Sequence, residues 1–292
     1  MIFQNQLLAW HSLFRYVCND TVMTNLLSSA PGVAPLPDAR PDVPSGERVL
    51  QVLACIARAG QALNARDLAA QTGIPLSSLY RHVAMLKKWG LLQEHAHNGQ
   101  AALSGLYEPG PMAVQLAWGF DHHSHLMQQA REEMQQLLER SGESVGLLIY
   151  LHGQVICLDM LESPQALRCS FTRGSTGPTV RGASAKALLA SLPPAVLDAQ
   201  LAAQQLDEAS IAELKQQLQH IALQGYAVSQ DEVDIGVWGV SVPVMSGTTK
   251  AEATLSLMAP TSRAIPRSDE LIRLTQAAAA KISQRLRIES HP

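Results

Sequence analysis

Six side chains in one short stretch have the types and spacing to touch nucleic acid: Ser77, Ser78, Tyr80, Arg81, Lys87 and Lys88. Short hydroxyls near a helix start can meet phosphate or base edges. An arginine one turn on can fork onto guanine O6 and N7, and paired lysines suit phosphates. The spacing works only if the stretch is helical. Pro75 suits a first turn, and Leu79, Val83 and Leu86 recur at i, i+4 and i+7. At about 100° per residue, Ser77, Arg81, Ala84 and Lys88 then point away from that apolar face, with Ser78, Tyr80 and Lys87 on its flanks. The plain alternative is a solvated helix face with no ligand.

The elements around this helix favour the sharper reading. Val49, Leu53 and Ile56 carry a helical period from Ser45 to a stop at Gly60. Asn64 suits the N-cap of a short helix that Gly73 ends. The third helix stops at Gly90, after which Leu91 to Glu94 reads as a strand. Asn98-Gly99 is a two-residue hairpin signal, and Ala101 to Tyr107 a return strand. Three helices and a hairpin over residues 45–107 describe a winged helix-turn-helix. Six basic residues against three acids give that stretch a net +3, against −3 for the whole chain of 292 residues. Local positive charge on a small helical domain is the footprint of nucleic-acid binding.

Composition bounds the rest. At 47% hydrophobic and 16% charged, the chain can bury a sizeable core, and its length suits about two domains. Cys18, Cys55, Cys157 and Cys169 stand apart with no C-x-x-C, which removes the best signal for a zinc or dithiol site and fits free thiols in a cytoplasmic protein. No apolar run reaches the ~18 residues of a membrane helix. The start lacks a basic n-region and a cleavage site. Residues 1–44 include five prolines from Pro31 to Pro44 and read as a flexible leader, with Met23 a candidate start.

Catalytic signals are poor. Lys186 stands where the second glycine of a G-x-S-x-G turn belongs, no S-x-x-K occurs, and no two glycines are spaced for G-x-G-x-x-G. Asp231, Glu232 and Asp234 could pass for an acid–base cluster but fit a solvated loop better. His122, His123 and His125 cluster at a helix start without H-E-x-x-H spacing. No catalytic residue, metal ligand or cofactor is assigned.

After Gly110 the pattern reads as a linker helix near 112–120 (domain segment 108–121), then a helix near 122–140. Two strands follow around His152-Gly153-Gln154, then a third strand LRCSFTR. A helix comes after Gly182 and another runs from Asp207 to Gln224. Two more strands are joined at Gly247, and a last helix spans about 267–288. Strands in pairs with helices grouped between them indicate an α+β domain over 122–292.

The segment ALNARDLAAQTGIPLSSLYRHVAMLKKWGLLQ resembles the N-terminal domain of the IclR family of bacterial transcriptional regulators. RGASAKALLA, QGYAVSQDEVDIGVWGVSVPV and ATLSLMAP resemble three segments of that family's second half, in the family's order, so the resemblance spans about residues 45–288. It implies a winged helix-turn-helix, a linker helix and a GAF-like effector-binding domain. It also implies a palindromic DNA operator, a small-molecule effector, and homodimers or tetramers.

The family's pocket positions fall here on Ala183, Ser184, Ser229, Trp238, Gly239 and Ser256. An Asp common in the family is Ser229 here, and the stretch where a Cys is common holds Trp238 and Gly239. The expectation is therefore an aromatic effector stacked on Trp238. If the effector is an acid, Arg168, Arg173 or Arg181 would be its counter-charge. Within the family the pattern is similar to regulators of aromatic-acid breakdown, such as that of terephthalate. The alternative is an enzyme or metabolite sensor carrying a vestigial helix-turn-helix.

Overall fold

A computed structural model describes residues 44–95, 105–247 and 251–289. The leader, the Asn98-Gly99 turn and most of the expected return strand lie outside those residues.

Helices α1 (Ser45–Ala59), α2 (Ala65–Thr72) and α3 (Leu76–Lys88) pack with strands β1 (Leu63–Asn64), β2 (Leu92–Glu94) and β3 (Leu106–Pro109), which pair antiparallel in the order β1-β3-β2. Val52, Ile56, Leu68, Leu79, Val83, Leu86 and Leu92 form the core of this unit. Asn64 ends β1 and starts α2: its Oδ1 accepts from the N–H groups of Arg66 and Asp67, both at 2.9 Å. Two of the donors that every helix start leaves unpaired are satisfied there.

Linker helix α4 (Met112–His123) meets α5 (His125–Ser141) at one non-helical residue, Ser124, whose hydroxyl caps α5 by accepting from the Met127 N–H. The remainder is built on a six-stranded antiparallel sheet in the order β6-β5-β4-β9-β8-β7. Its strands are β4 (Ser144–Leu151), β5 (Gln154–Leu161), β6 (Thr176–Gly177), β7 (Ala227–Gln230), β8 (Val237–Met245) and β9 (Ala251–Pro260). His152 and Gly153, with φ of 49° and 78°, close the β4–β5 hairpin in the doubly left-handed form that matches strand twist.

Helices α6 (Ala183–Ala190), α7 (Pro194–Ala202) and α8 (Glu208–Gln224) form a second cluster, while α9 (Thr261–Ala264) and a 3-10 turn lead into α10 (Ser268–Glu289). Helix α7 and strand β7 have no counterpart among the elements expected from the sequence pattern. Its third strand, LRCSFTR, is also corrected: residues 167–173 form no strand, and the edge of the sheet is the two-residue β6. The side chains that would stand off a pleat are instead spent on loop contacts, Arg168 on Glu162 and Arg173 on the Leu158 carbonyl. The mixed α+β architecture with an N-terminal winged helix-turn-helix is as expected from sequence. No helix among the described residues is long and apolar enough to cross a membrane.

Replacing Asn64 by Ala removes the double cap while leaving the core intact. The expected loss is about 1 kcal/mol of stability, read as a lower urea midpoint at unchanged m-value.

Candidate effector cavity and DNA-facing helix

The strand period divides the large sheet into two unlike faces. Trp238, Val240, Val242 and Val244 on β8 share one face with Ala253, Leu255, Leu257 and Ala259 on β9, as the register dictates. These residues pack with Met127, Met134 and Leu137 of α5 and Leu271, Ile282 and Leu286 of α10. The opposite face carries Gly239 and Ser241 on β8, Ser256 and Met258 on β9, and Ser229 on β7. Helix α6 lies over this second face.

Small side chains under α6 leave a cavity of about 490 Å³, inside the range of small-molecule sites. Its floor carries hydroxyls. Ser184 Oγ lies 3.2 Å from Ser241 Oγ and 3.0 Å from Ser256 Oγ, and Ser241 and Ser256 are 2.7 Å apart. The walls are apolar, from Leu148, Val155, Leu167, Phe171 and Met258. Arg168, Arg181 and Asp234 add charge at the lining. Arg168 already pairs with Glu162 at 2.7 Å. Arg173 does not line the cavity; its guanidinium turns to Asp121 and to the Leu158 carbonyl. Arg181 is exposed and makes no hydrogen bond or ion pair among the described residues.

The segment 231–236 borders the same space and is fastened to the first turn of α6. Glu232 accepts from the Gly182 N–H at 3.0 Å and from Lys186 Nζ at 2.8 Å. Gly182 has φ of 84°, and a Cβ there would come within 2.8 Å of Val233 Cγ2, so only glycine fits. Asp231 is likewise structural, accepting from the Gly236 N–H at 2.6 Å. Two thiols sit nearby. Burial pushes the Cys157 thiol up to about 11, and burial also raises that of Cys169 in the cavity wall.

Of the six expected pocket residues, Ala183, Ser184, Ser229 and Gly239 line the cavity, and Ser256 lies under it through its bond to Ser184. Trp238 does not. It is buried on the α5–α10 face of the sheet, and the expectation of an aromatic effector stacked on its indole is corrected. The physical reason is the two-residue period: Trp238 and Gly239 are neighbours on one strand and must face opposite ways. Ser241, Phe171 and Met258 were not foreseen, although Ser241 stands two residues from Gly239 and shares its face.

On α3, Ser77, Tyr80, Arg81, Lys87 and Lys88 are exposed and Ser78 is half-buried, while Leu79, Val83 and Leu86 are buried. Arg81 Nη2 reaches Ser78 Oγ at 3.3 Å, and Lys87 pairs with Glu94 on β2. His82 is buried on the inner side, with Nε2 lacking a partner. Burial, then the charges of Arg81 and Arg48, lower its pKa, so it packs as a neutral ring.

Residues 45–96 match the family model of the IclR helix-turn-helix domain, and residues 120–284 that of the bacterial transcriptional regulator IclR C-terminal domain. The chain is similar to the HTH-type transcriptional regulator XynR of Escherichia coli, 28% identical over 230 residues that cover 76% of this chain and 88% of that one. It is similar to the regulator BhcR of Paracoccus denitrificans, 26% identical over 74% of this chain and 77% of that one. Among solved structures it shares the fold of an IclR-family regulator from Brucella abortus, with a TM-score of 0.71 at 20% identity over 87% of this chain and 99% of that one. It also shares the fold of an IclR homologue from Microbacterium hydrocarbonoxydans complexed with 4-hydroxybenzoate, with a TM-score of 0.66 at 22% identity over 84% of this chain and all of that one.

Trp238→Ala opens a hole between the sheet and its helices. The expected outcome is a loss of about 3–5 kcal/mol in urea unfolding. A variant of native stability that had lost only aromatic-ligand binding would return the indole to the cavity.

Proposed function

This chain belongs to the IclR family of bacterial transcriptional regulators, and from that premise we propose that it controls a catabolic operon in response to a small aromatic carboxylate. The observation that carries the reading is the cavity under α6, with apolar walls, a hydroxyl floor and an arginine that has no protein partner among the described residues. Apolar walls suit a ring, and Phe171 supplies an aromatic neighbour. Arg181 suits a carboxylate, because a guanidinium can present two donors to two oxygens. The Microbacterium homologue's 4-hydroxybenzoate is a compound of this class. The relatives matched by the chain are transcriptional regulators, which sets the enzyme reading aside.

Helix α3 reads the operator in the major groove, Arg81 forking onto a guanine and Ser77, Ser78 and Tyr80 contacting nearby edges or phosphates. Lys88 meets phosphate. Lys87 serves the same end more weakly, since Glu94 already neutralises it. One such helix reads too few base pairs for a unique address, so the protein acts in the cytoplasm as a homodimer, or a tetramer, on a palindrome with half-sites about 34 Å apart or a multiple of that. Val114, Leu116 and Trp118 of α4, all more than half exposed, supply apolar surface for the subunit contact. The effector works by binding two arrangements of the protein unequally, which is the only way a ligand shifts such an equilibrium.

Arg81→Ala is expected to weaken specific binding by about 1–3 kcal/mol and relax sequence preference. Lys88→Ala is expected to weaken all sequences alike and flatten the salt slope by about one unit. Gel-shift titrations across salt separate the two, and unchanged specific binding in Arg81→Ala would remove α3 from the groove. For the cavity, Arg181→Gln should cost 4-hydroxybenzoate about 1.5–3 kcal/mol by calorimetry. The uncharged amide of the same acid should be affected little. Equal losses for acid and amide would exclude Arg181 as the counter-charge.

A further inference from the structure

The cavity wall from Leu167 to Phe171 belongs to a segment that is fastened at both ends to the α4–α5 unit. At one end, Ser163 donates from its hydroxyl to the Gly142 carbonyl at 2.6 Å, just past the end of α5. Four residues on, Arg263 Nη2 donates to the Leu167 carbonyl at 2.9 Å while the same guanidinium holds Glu143 through two contacts of 2.7 Å. Glu143 is almost wholly buried, so this end is rigid. At the other end, Arg173 donates from Nε to the Leu158 carbonyl at 2.8 Å and from Nη2 to Asp121. Asp121 lies in the last turn of linker helix α4.

The placement of Asp121 matters because of Ser124. That residue alone separates α4 from α5, with ψ of 112°, well outside the helical range. One residue with two soft dihedrals fixes the direction of α4 weakly. Two bonds of the junction itself also cross it, the Ser124 N–H to the Phe120 carbonyl at 2.8 Å and Gln128 Nε2 to the His122 carbonyl at 2.6 Å. The Arg173–Asp121 pair is different in kind, since it joins the last turn of α4 to the segment that carries the cavity wall, two residues beyond Phe171. Both partners are partly exposed. A partly exposed pair of that sort adds little to stability, so global folding gives little reason for it.

We propose that the Arg173–Asp121 ion pair transmits occupation of the cavity to the linker helix. The proposal rests on the reading of the cavity as an effector site. A ligand that displaces Leu167–Phe171 works against a wall held firmly at Glu143, so the displacement passes to Arg173 and through Asp121 to the end of α4. The hinge at Ser124 takes up the change. Breaking the pair leaves the cavity able to bind and the winged helix able to fold, but disconnects them.

Hydrogen exchange over residues 112–123 of the full chain tests this, with 4-hydroxybenzoate as the probe and calorimetry to establish saturation. In the unmodified protein, saturation should change exchange in that window by about fivefold or more. In Arg173→Ala and Asp121→Asn the change should fall below about twofold, with affinity for the probe within about twofold of normal, as expected of coupling carried by a contact outside the site. The charge-reversed double variant, Asp121→Arg with Arg173→Asp, should restore the response, which a merely structural role would not do. An equal response in the single variants, or none in the unmodified protein with the probe bound, overturns the proposal.

Failure of 4-hydroxybenzoate to bind would count against the aromatic-carboxylate reading instead. Ser229→Phe then loads the cavity from within, with Ser229→Leu as the smaller load should Phe not fold. The same comparison of exchange with and without Arg173→Ala decides the matter: a change over 112–123 that needs Arg173 supports the joint, and no change, or one independent of Arg173, overturns it.

Discussion

The alternation of side chains along β8 and β9 is the constraint on which the effector domain depends. A strand sends successive residues to opposite faces. Here one set, Trp238, Val240, Val242 and Val244, is large and apolar, and the other is small where it lies beneath α6, at Gly239 and Ser241. The large set is buried against α5 and α10 and holds the domain together. The small set cannot fill the space beneath α6, and the cavity is what remains. A shift of register by one residue would exchange the two sets, exposing the core face and filling the cavity with an indole. Stability and the capacity to bind a ligand are thus written on the same strands and kept separate by parity alone.

Helix α3 solves the matching problem with a different period. Its inner side is closed by Leu79, Val83, Leu86 and a neutral His82, and its outer side is left to polar and basic groups. The helix is pinned from below by Val52, Ile56 and Leu68. Its outward side chains are therefore presented on a fixed backbone, which would lower the ordering cost of the DNA contacts proposed for them. Lys87 shows a limit of that arrangement, because its tie to Glu94 strengthens the link between helix and β2 at the expense of positive charge available to a phosphate.

The winged unit was legible in the sequence because its signals are local. Asn64, Pro75 and the i, i+4, i+7 spacing each act within a few residues of where they stand. The cavity was legible chiefly where the family resemblance reached it, at Ala183, Ser184, Ser229, Gly239 and Ser256, with Arg168 and Arg181 marked besides by their charge. LRCSFTR carries alternating apolar residues and reads as a strand, yet its structure follows from partners far along the chain: Arg263 on the Leu167 carbonyl and Asp121 on Arg173. No window of a dozen residues contains that information. Trp238 is a different case. The two-residue period already forbade Trp238 and Gly239 from lining one cavity, and pairing Gly239 with Ser241 was open to anyone who had counted by twos.

The three serine hydroxyls at the cavity floor and just beneath it have a consequence for what the site can distinguish. Each can donate once and accept twice, and their mutual separations of 2.7, 3.0 and 3.2 Å allow the protons to circulate in either sense around the ring. A guest that offers an acceptor can draw one proton out of the ring; a guest that offers a donor can be met by a lone pair with the ring unbroken. The floor can thus meet a group of either polarity, a donor with every ring bond kept and an acceptor at the loss of one, whereas a fixed carboxylate in place of Ser229 would repel acids outright. Chemical discrimination is left to the charged rim and the apolar walls, and the range of molecules the domain can learn to recognise widens without any change in its fold.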